Sequence, residues 1–445
     1  MNARLHKFLS DLAETFWLLP AAMVVGAIVL ALLFVAIDRG GGLPGWLPAG
    51  WLYNGGGTGA RTLLGAIASS TIGVAGTVFS ITIAALSLAA GQMGPRLLRN
   101  FTRDRGVQVT LGAFLGTFSF SLVTLRSVRA ADEGSFVPHL ALTVAILMAF
   151  GCVATLVYFV HHMANRINVD TVVDLVGDEM RAAIFRLTLD TPEDNGNAGG
   201  GDWSTAAPIV HRGRGYLQEL DKAGLADWAA ERNVTIRLLV RPGDYIFPGA
   251  AVALVFPPIE GAEAAVGDAT ALGARRVSSA DLEFAIRQLV EVAARALSVG
   301  INDPQTAISV LDQLGAALCD IAARHLPSGV VIRNGRPVLF VPEVDYDGLT
   351  DSIFDLIRQN AAGSTAVLVR MLDMLTAVVT CEGDTARLAS LCRHAELILA
   401  EGERTIGAPA DRAHLRQRYD NFERVRQDGP AAMTRGGRVA APAAG

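Results

Sequence analysis

The residues best able to do chemistry are few and poorly placed for it. His161 and His162 form the one adjacent histidine pair. Neighbouring helical residues diverge by about 100°, so they do not face one metal together, and a solvated interfacial pair is expected. Cys392 and His394 are likewise too close along one helix for joint ligation. The remaining cysteines are Cys152, Cys319 and Cys381; no pair has CxxC spacing, which argues against a disulfide framework or a thiolate metal site. There is no nucleophile elbow, no GxGxxG and no HExxH. "DTPEDNGNAGGGDWS" (190–204) is Gly-rich but lacks the Lys-Ser/Thr ending of a phosphate loop, and reads as a flexible connection. Acidic residues are frequent in the second half, but nothing singles out a pair. The sequence assigns no catalytic residue, no metal and no cofactor.

Small and hydroxyl-bearing residues make a more specific pattern. Gly65, Ser69, Gly73 and Thr77 recur every four residues inside an apolar run, a spacing that lets helix backbones approach closely. Gly112 and Gly116 repeat it in a later run. Two uses are open: packing within one subunit, or a helix that lines a pore in an oligomer. In the second, Ser70, Ser80 and Ser87, taken as lying off that ridge, would face an aqueous path.

These residues are carried by four apolar stretches, at 17–37, 62–93, 107–125 and 140–160. Each reaches about the 20 residues that span a bilayer, and none has an Asp, Glu, Lys or Arg in its interior. Coupled transporters usually need such groups, whereas a channel with a hydrophobic constriction does not. The second stretch, at roughly 1.5 Å per residue, is about 48 Å long and must tilt, bend or protrude from a ~30 Å hydrocarbon core. A mean hydropathy of +0.37 with 18% charged residues reflects this apolar third of the chain. Arg4 and Lys7 precede the first span, and Arg96, Arg99, Arg103 and Arg105 follow the second. The opposite loops hold fewer cations, so both termini are expected in the cytoplasm, with the four arginines at lipid headgroups. The first outer loop, with Trp46, Trp51 and Tyr53, suits an interfacial turn.

From about residue 164 the pattern is that of an α+β region. Helical spacing of Ile167, Val172, Val176, Met180 and Ile184 continues out of the fourth span. Short strands are expected in "APIVHR", "GYLQEL", "VTIRLLV" and "AAVALVF", with a helix at 221–231 and turns at Pro242-Gly243-Asp244 and Pro248-Gly249. "VRPGDYIFPGAAVALV" resembles one arm of the hammerhead fold of biotinyl and lipoyl carriers, but it has no lysine to modify, which leaves a scaffold role. Helices resume at 279, interrupted by a hairpin at 330–341 that turns at Asn334-Gly335. The expected organisation is a transmembrane domain (1–163), a connecting helix and loop (164–205), a hammerhead-like β-rich module (206–278), a helical bundle with one hairpin (279–427) and a disordered tail (428–445).

"SVGINDPQTAI" (298–308) reads as a corner between two helices of that bundle. Gly300 is expected to stop the first helix in the left-handed conformation, Asp303 to cap the second, and Pro304 to occupy its first position. A ligand or partner contact at Asn302, Asp303 and Gln305 is the competing use.

Residues 77–128 ("TVFSITIAALSLAAGQMGPRLLRNF…") and 286–307 ("IRQLVEVAARALSVGINDPQTA") together resemble two signatures of a bacterial family of predicted membrane proteins, the domain of unknown function numbered 2254. The resemblance runs from about residue 10 to 425. It implies an inner-membrane protein with a cytoplasmic carboxy-terminal region, and it brings no catalytic residues. Val299 stands where the pattern would have proline. Two functions remain: an oligomeric, channel-like pore with a cytoplasmic regulatory region, or a membrane-anchored scaffold or sensor that binds a cytoplasmic protein. Expected partners are the bilayer and further copies of the chain. A net charge of −5 with no basic stripe gives no reason to expect nucleic acid.

Overall fold

The computed structural model describes residues 16–40, 55–93, 104–129, 136–166, 169–193, 203–274, 276 and 281–434. The chain divides into two compact units between Asn168 and Val169.

Among the described residues, the first unit holds four helices long and apolar enough to cross a membrane: α1 (Leu18–Arg39), α2 (Gly57–Met93), α3 (Arg105–Ser127) and α4 (His139–Arg166). They match the four expected spans, α2 starting five residues earlier at Gly57. Helix α3 is central: half of its span is buried in the unit, against 22–28% for the other three. Its Phe120 is fully buried and meets Phe34 of α1 edge-on, with ring centroids 6.5 Å apart. Large aliphatic side chains cover the outward faces of α1 (Val25, Val29, Leu32, Leu33) and α4 (Leu147, Val153, Val157, Val160), as lipid contact requires.

Polar groups tie the helix ends together. Asp104 caps α3 through Gly106 N–H at 2.8 Å. Asp38, at the end of α1, caps a different helix: its carboxylate accepts from Leu140 and Ala141 N–H of α4, both at 3.1 Å. Arg61 donates to the Val128 carbonyl at 3.1 Å, and Arg129 pairs with Phe136 in an antiparallel bridge. The outer-loop aromatics Trp46, Trp51 and Tyr53 lie outside the described residues, as do Arg96, Arg99 and Arg103.

The second unit opens with α5 (Val169–Leu187); residues 167–168, where the fourth span was expected to run on, lie outside the described chain. Then come β1 (Ala207–Val210), β2 (Gly215–Leu220), α6 (Lys222–Glu231), β3 (Thr235–Leu238), β4 (Tyr245–Ile246), β5 (Ala251–Phe256), α7 (Ala262–Ala269) and β6 (Thr270–Gly273). The helices α8 (Leu282–Ala296) and α9 (Pro304–Ala322) precede the hairpin β7 (Val330–Arg333) and β8 (Arg336–Phe340). The chain closes with α10 (Tyr346–Asn360), α11 (Thr365–Val379), α12 (Thr385–Thr405) and α13 (Pro409–Asp428). Asp281, Asp303, Asp345 and Asp384 each cap the helix that follows, satisfying amides that would otherwise be orphaned.

The strands form two sheets, a five-stranded one in the order β1-β5-β3-β8-β7 and a three-stranded one in the order β4-β2-β6. The stretch that resembles a hammerhead arm is thus split, β4 in one sheet and β5 in the other. The hairpin turns at Asn334 (φ 53°) and Gly335 (φ 73°), as the Asn-Gly pair demands. Its strand β8 then pairs in parallel with β3, Ile236 opposite Leu339. The strands of the expected β-module and the hairpin of the expected helical bundle therefore share one sheet.

Two expectations are corrected. The tail was expected to be disordered from 428, yet Pro430–Thr434 forms a helical turn with Ala432 buried; residues 435–445 lie outside the described chain. The 190–204 loop is anchored at its start, Leu189 pairing with His325 and Asp190 with Arg324 at 2.5 Å. Residues 194–202 are not among those described.

Helices α5 and α9 run parallel. Asp174 meets Gln313 at 3.0 Å, Arg181 meets Asp320 at 3.1 Å, and Thr188 meets Arg324 at 2.5 Å. The seven-residue step from Asp174 to Arg181 is matched by the seven-residue step from Gln313 to Asp320, and Thr188 and Arg324 meet just beyond the two helix ends.

Candidate functional site

The α2 ridge lies on an outward face. A side chain added at Gly65 or Gly73 would meet nothing among the described residues within 4 Å, and Ser69, Gly73 and Thr77 are exposed. The opposite face of α2, with Ala60, Leu64, Ile67, Thr71, Ala75 and Val78, is the one buried in the unit. Ser80 and Ser87 do not lie off the ridge: seven and fourteen residues beyond Gly73, they fall within about 40° of it on the same face of the helix. The outward face reads Thr62, Ala66, Ser69, Gly73, Gly76, Ser80, Ile83, Ser87, all exposed and spaced alternately by four and three. That spacing is a heptad seam, with small residues at almost every position. The hydroxyls bond back to their own helix, Ser69 to Ala66 O at 3.2 Å, Ser70 to Ile67 O at 3.1 Å, Thr77 to Gly73 O at 3.2 Å and Ser80 to Gly76 O at 2.9 Å. Their protons being used, they offer a neighbour chiefly acceptor oxygens.

The same spacing on α3 is used internally. A Cβ on Gly112 would run into the Met23 side chain of α1, and one on Gly116 would touch Ala27 Cβ at 3.4 Å. A row of hydroxyls that the sequence reading did not single out lies on another face of α3: Thr110, Thr117, Ser121 and Thr124, all buried. Thr117 lies 3.2 Å from Cys152 Sγ of α4, while the Ser121 and Thr124 hydroxyls have no hydrogen-bond partner among the described residues.

His162 is not simply solvated. Its Nε2 lies 2.7 Å from Asp104 Oδ2, and its ring stacks on Tyr158 at 5.4 Å. Gly106 leaves room for both: a Cβ there would sit 2.9 Å from His162 Nε2 and 3.0 Å from the Tyr158 hydroxyl. Asp104 and His162 are 58 residues apart, so only the fold pairs them. His161 and Arg105 are exposed.

In the second unit the 298–303 corner is built as a joint. Asp303 accepts from Gln305 N–H at 3.1 Å, Thr306 N–H at 3.2 Å and the Thr306 hydroxyl at 2.6 Å. The Thr306 hydroxyl, against a smaller opposing effect of burial, holds the Asp303 carboxyl below its ordinary value. The left-handed residue is Asn302 (φ 50°), not Gly300, which has no positive φ. An asparagine tolerates this region through its short polar side chain. Asn302 and Gln305 are exposed.

The buried charge of this unit is satisfied around Glu283, which pairs with Arg241 and Arg287 and accepts from Ser352 at 2.8 Å. Burial pushes its carboxyl up, but Ser352 and the three cations Arg287, Arg241 and Arg276 together bring it below the usual value. His394 is fully buried against Phe354, ring centroids 4.8 Å apart; its Nε2 lies 3.1 Å from Asp351 yet out of line for a hydrogen bond. Burial, aided by Arg393, lowers its pKa to about 4. Burial also raises the Cys319 thiol to about 11, with Cys381, 62 residues along the chain, close enough to interact. Among the described residues no three His, Cys, Asp or Glu converge on a metal position.

Residues 13–377 match the model of a family of predicted membrane proteins, the domain of unknown function 2254. The chain belongs to this family. Similar proteins include uncharacterized proteins of Mycobacterium tuberculosis and Mycobacterium bovis. Each is 31% identical over 365 residues, covering 80% of this chain and 70% of its own. No solved structure matches. Membership of the family therefore agrees with the four apolar helices and assigns no activity to the features above.

Proposed function

We propose that the protein is a homo-oligomeric inner-membrane pore, both termini cytoplasmic, in which the α2 seam from Thr62 to Ser87 faces the neighbouring copies. The observation that carries the reading is the contrast among outward faces. Those of α1 and α4 bear large aliphatics, while the α2 seam bears glycine, alanine, serine or threonine at seven of its eight heptad positions, Ile83 being the eighth, with Ile72, Phe79 and Ile81 exposed beside it. In lipid, close approach of small residues is a main source of helix association. Ser70, beside the seam, and Ser80 and Ser87 within it would give the path a weakly polar wall. Such a wall suits a gate that closes by dewetting. Arg96, Arg99, Arg103 and Arg105 would hold the cytoplasmic end at anionic headgroups.

The second reading is a membrane-anchored scaffold or sensor, with Asn302, Asp303 and Gln305 meeting a cytoplasmic protein. It is favoured by the size of the second unit and by the exposure of Asn302 and Gln305. Electrical recording from the purified protein in planar bilayers separates the two. The pore reading expects unitary currents that Gly73→Leu abolishes; silent bilayers containing verified oligomer would leave the scaffold.

A further inference from the structure

The corner between α8 and α9 carries two outward apolar side chains, Val299, fully exposed at 102%, and Ile301, 43% exposed. Two such residues in one tight corner are unlike the scatter of single apolar residues on a soluble surface. Four of the six amides of the corner are satisfied from within. Ser298 N–H donates to Arg295 O at 3.0 Å, Ile301 N–H to Ser298 O at 3.0 Å, Asn302 N–H to Ser298 O at 2.9 Å and Asp303 N–H to Ala296 O at 2.7 Å. The Ser298 hydroxyl is taken by Arg295 O at 2.6 Å, and the Asp303 carboxylate by the start of α9. The amides of Val299 and Gly300 are left to find partners among water and lipid headgroups, so the tip suits the interfacial zone of a bilayer and not its hydrocarbon centre.

Its position in the unit indicates what covers it. Helix α5 runs parallel to α9, with Asp174 level with Gln313 and Arg181 level with Asp320. By that register Val169 is level with Ile308, and the corner lies about 9 Å further on at about 1.5 Å per residue. The corner thus stands at the end of the helical bundle where the chain enters it. Three residues before Val169 the chain is still Arg166, the last residue of the α4 helix. The unit is therefore tethered to a bilayer at the end that carries the apolar tip. Tethering converts even weak apolar contact into an intramolecular event with a high effective concentration.

We propose that the 298–303 corner rests on the lipid bilayer, Val299 and Ile301 entering the headgroup and upper acyl region while Asn302 and Gln305 stay with water and headgroups. The proposal needs only that α4 crosses the membrane; it does not depend on the α2 seam or on a pore. It gives the exposed corner a partner of defined chemistry, a lipid surface, in place of an aqueous ligand.

The test uses the full chain in nanodiscs of phosphatidylcholine and phosphatidylglycerol. A solvent-sensitive NBD label is placed through Val299→Cys after Cys152→Ala, Cys319→Ala, Cys381→Ala and Cys392→Ala. The control label, through Ala386→Cys, lies at the other end of α9, where Arg387 donates to the Ile321 and Arg324 carbonyls. The label at 299 should emit to the blue of the control, be quenched by lipid spin-labelled near the headgroup, and resist aqueous iodide several-fold better. Equal iodide quenching at both sites would overturn the proposal. A blue-shifted label at 299 that no spin-labelled lipid quenches would also overturn it, because the corner would then be covered by protein.

Discussion

Gly112 and Gly116 of α3 lie against Met23 and Ala27 of α1, whereas Gly65 and Gly73 of α2 lie open, with none of the described residues within 4 Å of an added side chain. Residue type and spacing are alike in the two helices, and their use is opposite. What distinguishes them is the rest of each helix. On α2 the bulky residues Leu64, Ile67 and Val78 supply the inward face, and the small residues lie outside, flanked by Ile72, Phe79, Ile81 and Ile83. On α3, the central helix, the small residues admit the α1 backbone. A small-residue spacing in a membrane helix is thus a statement about close approach, and says nothing of which neighbour approaches.

The contrast can be broken most directly at Gly112. Gly112→Leu drives a side chain into Met23, and overpacking of this kind should cost ~3 kcal/mol or more. Detergent-extracted protein should then elute as aggregate and show no cooperative melt. Gly73→Leu, the matching change on α2, should leave the melt of the single chain unaltered while light scattering falls from oligomer to monomer mass. If the two variants behaved alike, the distinction between inner and outer glycines would be lost.

Smaller changes sharpen the question of whether a residue is used within the chain. His394 is buried uncharged, with a folded pKa of about 4 against an ordinary 6.5. A depressed folded value means that its contribution is complete above pH 6.5 and falls away as pH drops toward 4. Between pH 7 and 5 the wild-type chain should lose about 2 kcal/mol from this group, which His394→Phe should largely remove. Thermal melts across that range measure it; parallel slopes for the two chains would show that His394 is not buried neutral. Asp303 is committed to its cap. Asp303→Ala should cost about 1 kcal/mol and Asp303→Asn much less in urea titrations at neutral pH. Its carboxyl sits below the ordinary value, so its excess stabilisation is present above that value and fades as pH falls through the folded one. The Ser121 hydroxyl has no hydrogen-bond partner among the described residues. Ser121→Ala should change stability by no more than about 0.5 kcal/mol, or raise it, because no hydrogen bond is lost. A clear loss would mean that the hydroxyl has a partner in the membrane-embedded protein.

What was legible in the sequence is what depends on near neighbours. The four spans follow from apolar length, the cap at Asp303 from a side chain that reaches amides two or three residues on, and the hairpin from Asn334-Gly335. The outward face of α2 was not legible, because lipid is as apolar as a protein core and a membrane helix carries no clear signal of which side is buried. The Asp104–His162 pair and the Cys319–Cys381 neighbours join residues far apart along the chain. Gly300 looked like the helix stop by residue type, yet Asn302 takes the left-handed turn because the chain must fold back to cap α9 at Asp303. The outward Val299 and Ile301 were visible as letters, and only the register of α5 against α9 gives them a place.

The parallel pairing of β8 with β3 has a consequence for how the chain is made. Residue 339 is needed opposite Ile236, so the sheet waits for about a hundred further residues after β3 has left the ribosome. Until then one edge of β3 presents unpaired amides and carbonyls, the kind of template that recruits foreign strands. A fragment ending near residue 278, where composition alone would cut, would keep that edge open permanently and should aggregate rather than behave as a free-standing module. Late closure of the sheet also links the β-strands before α8 to the helices after it in a single folding event.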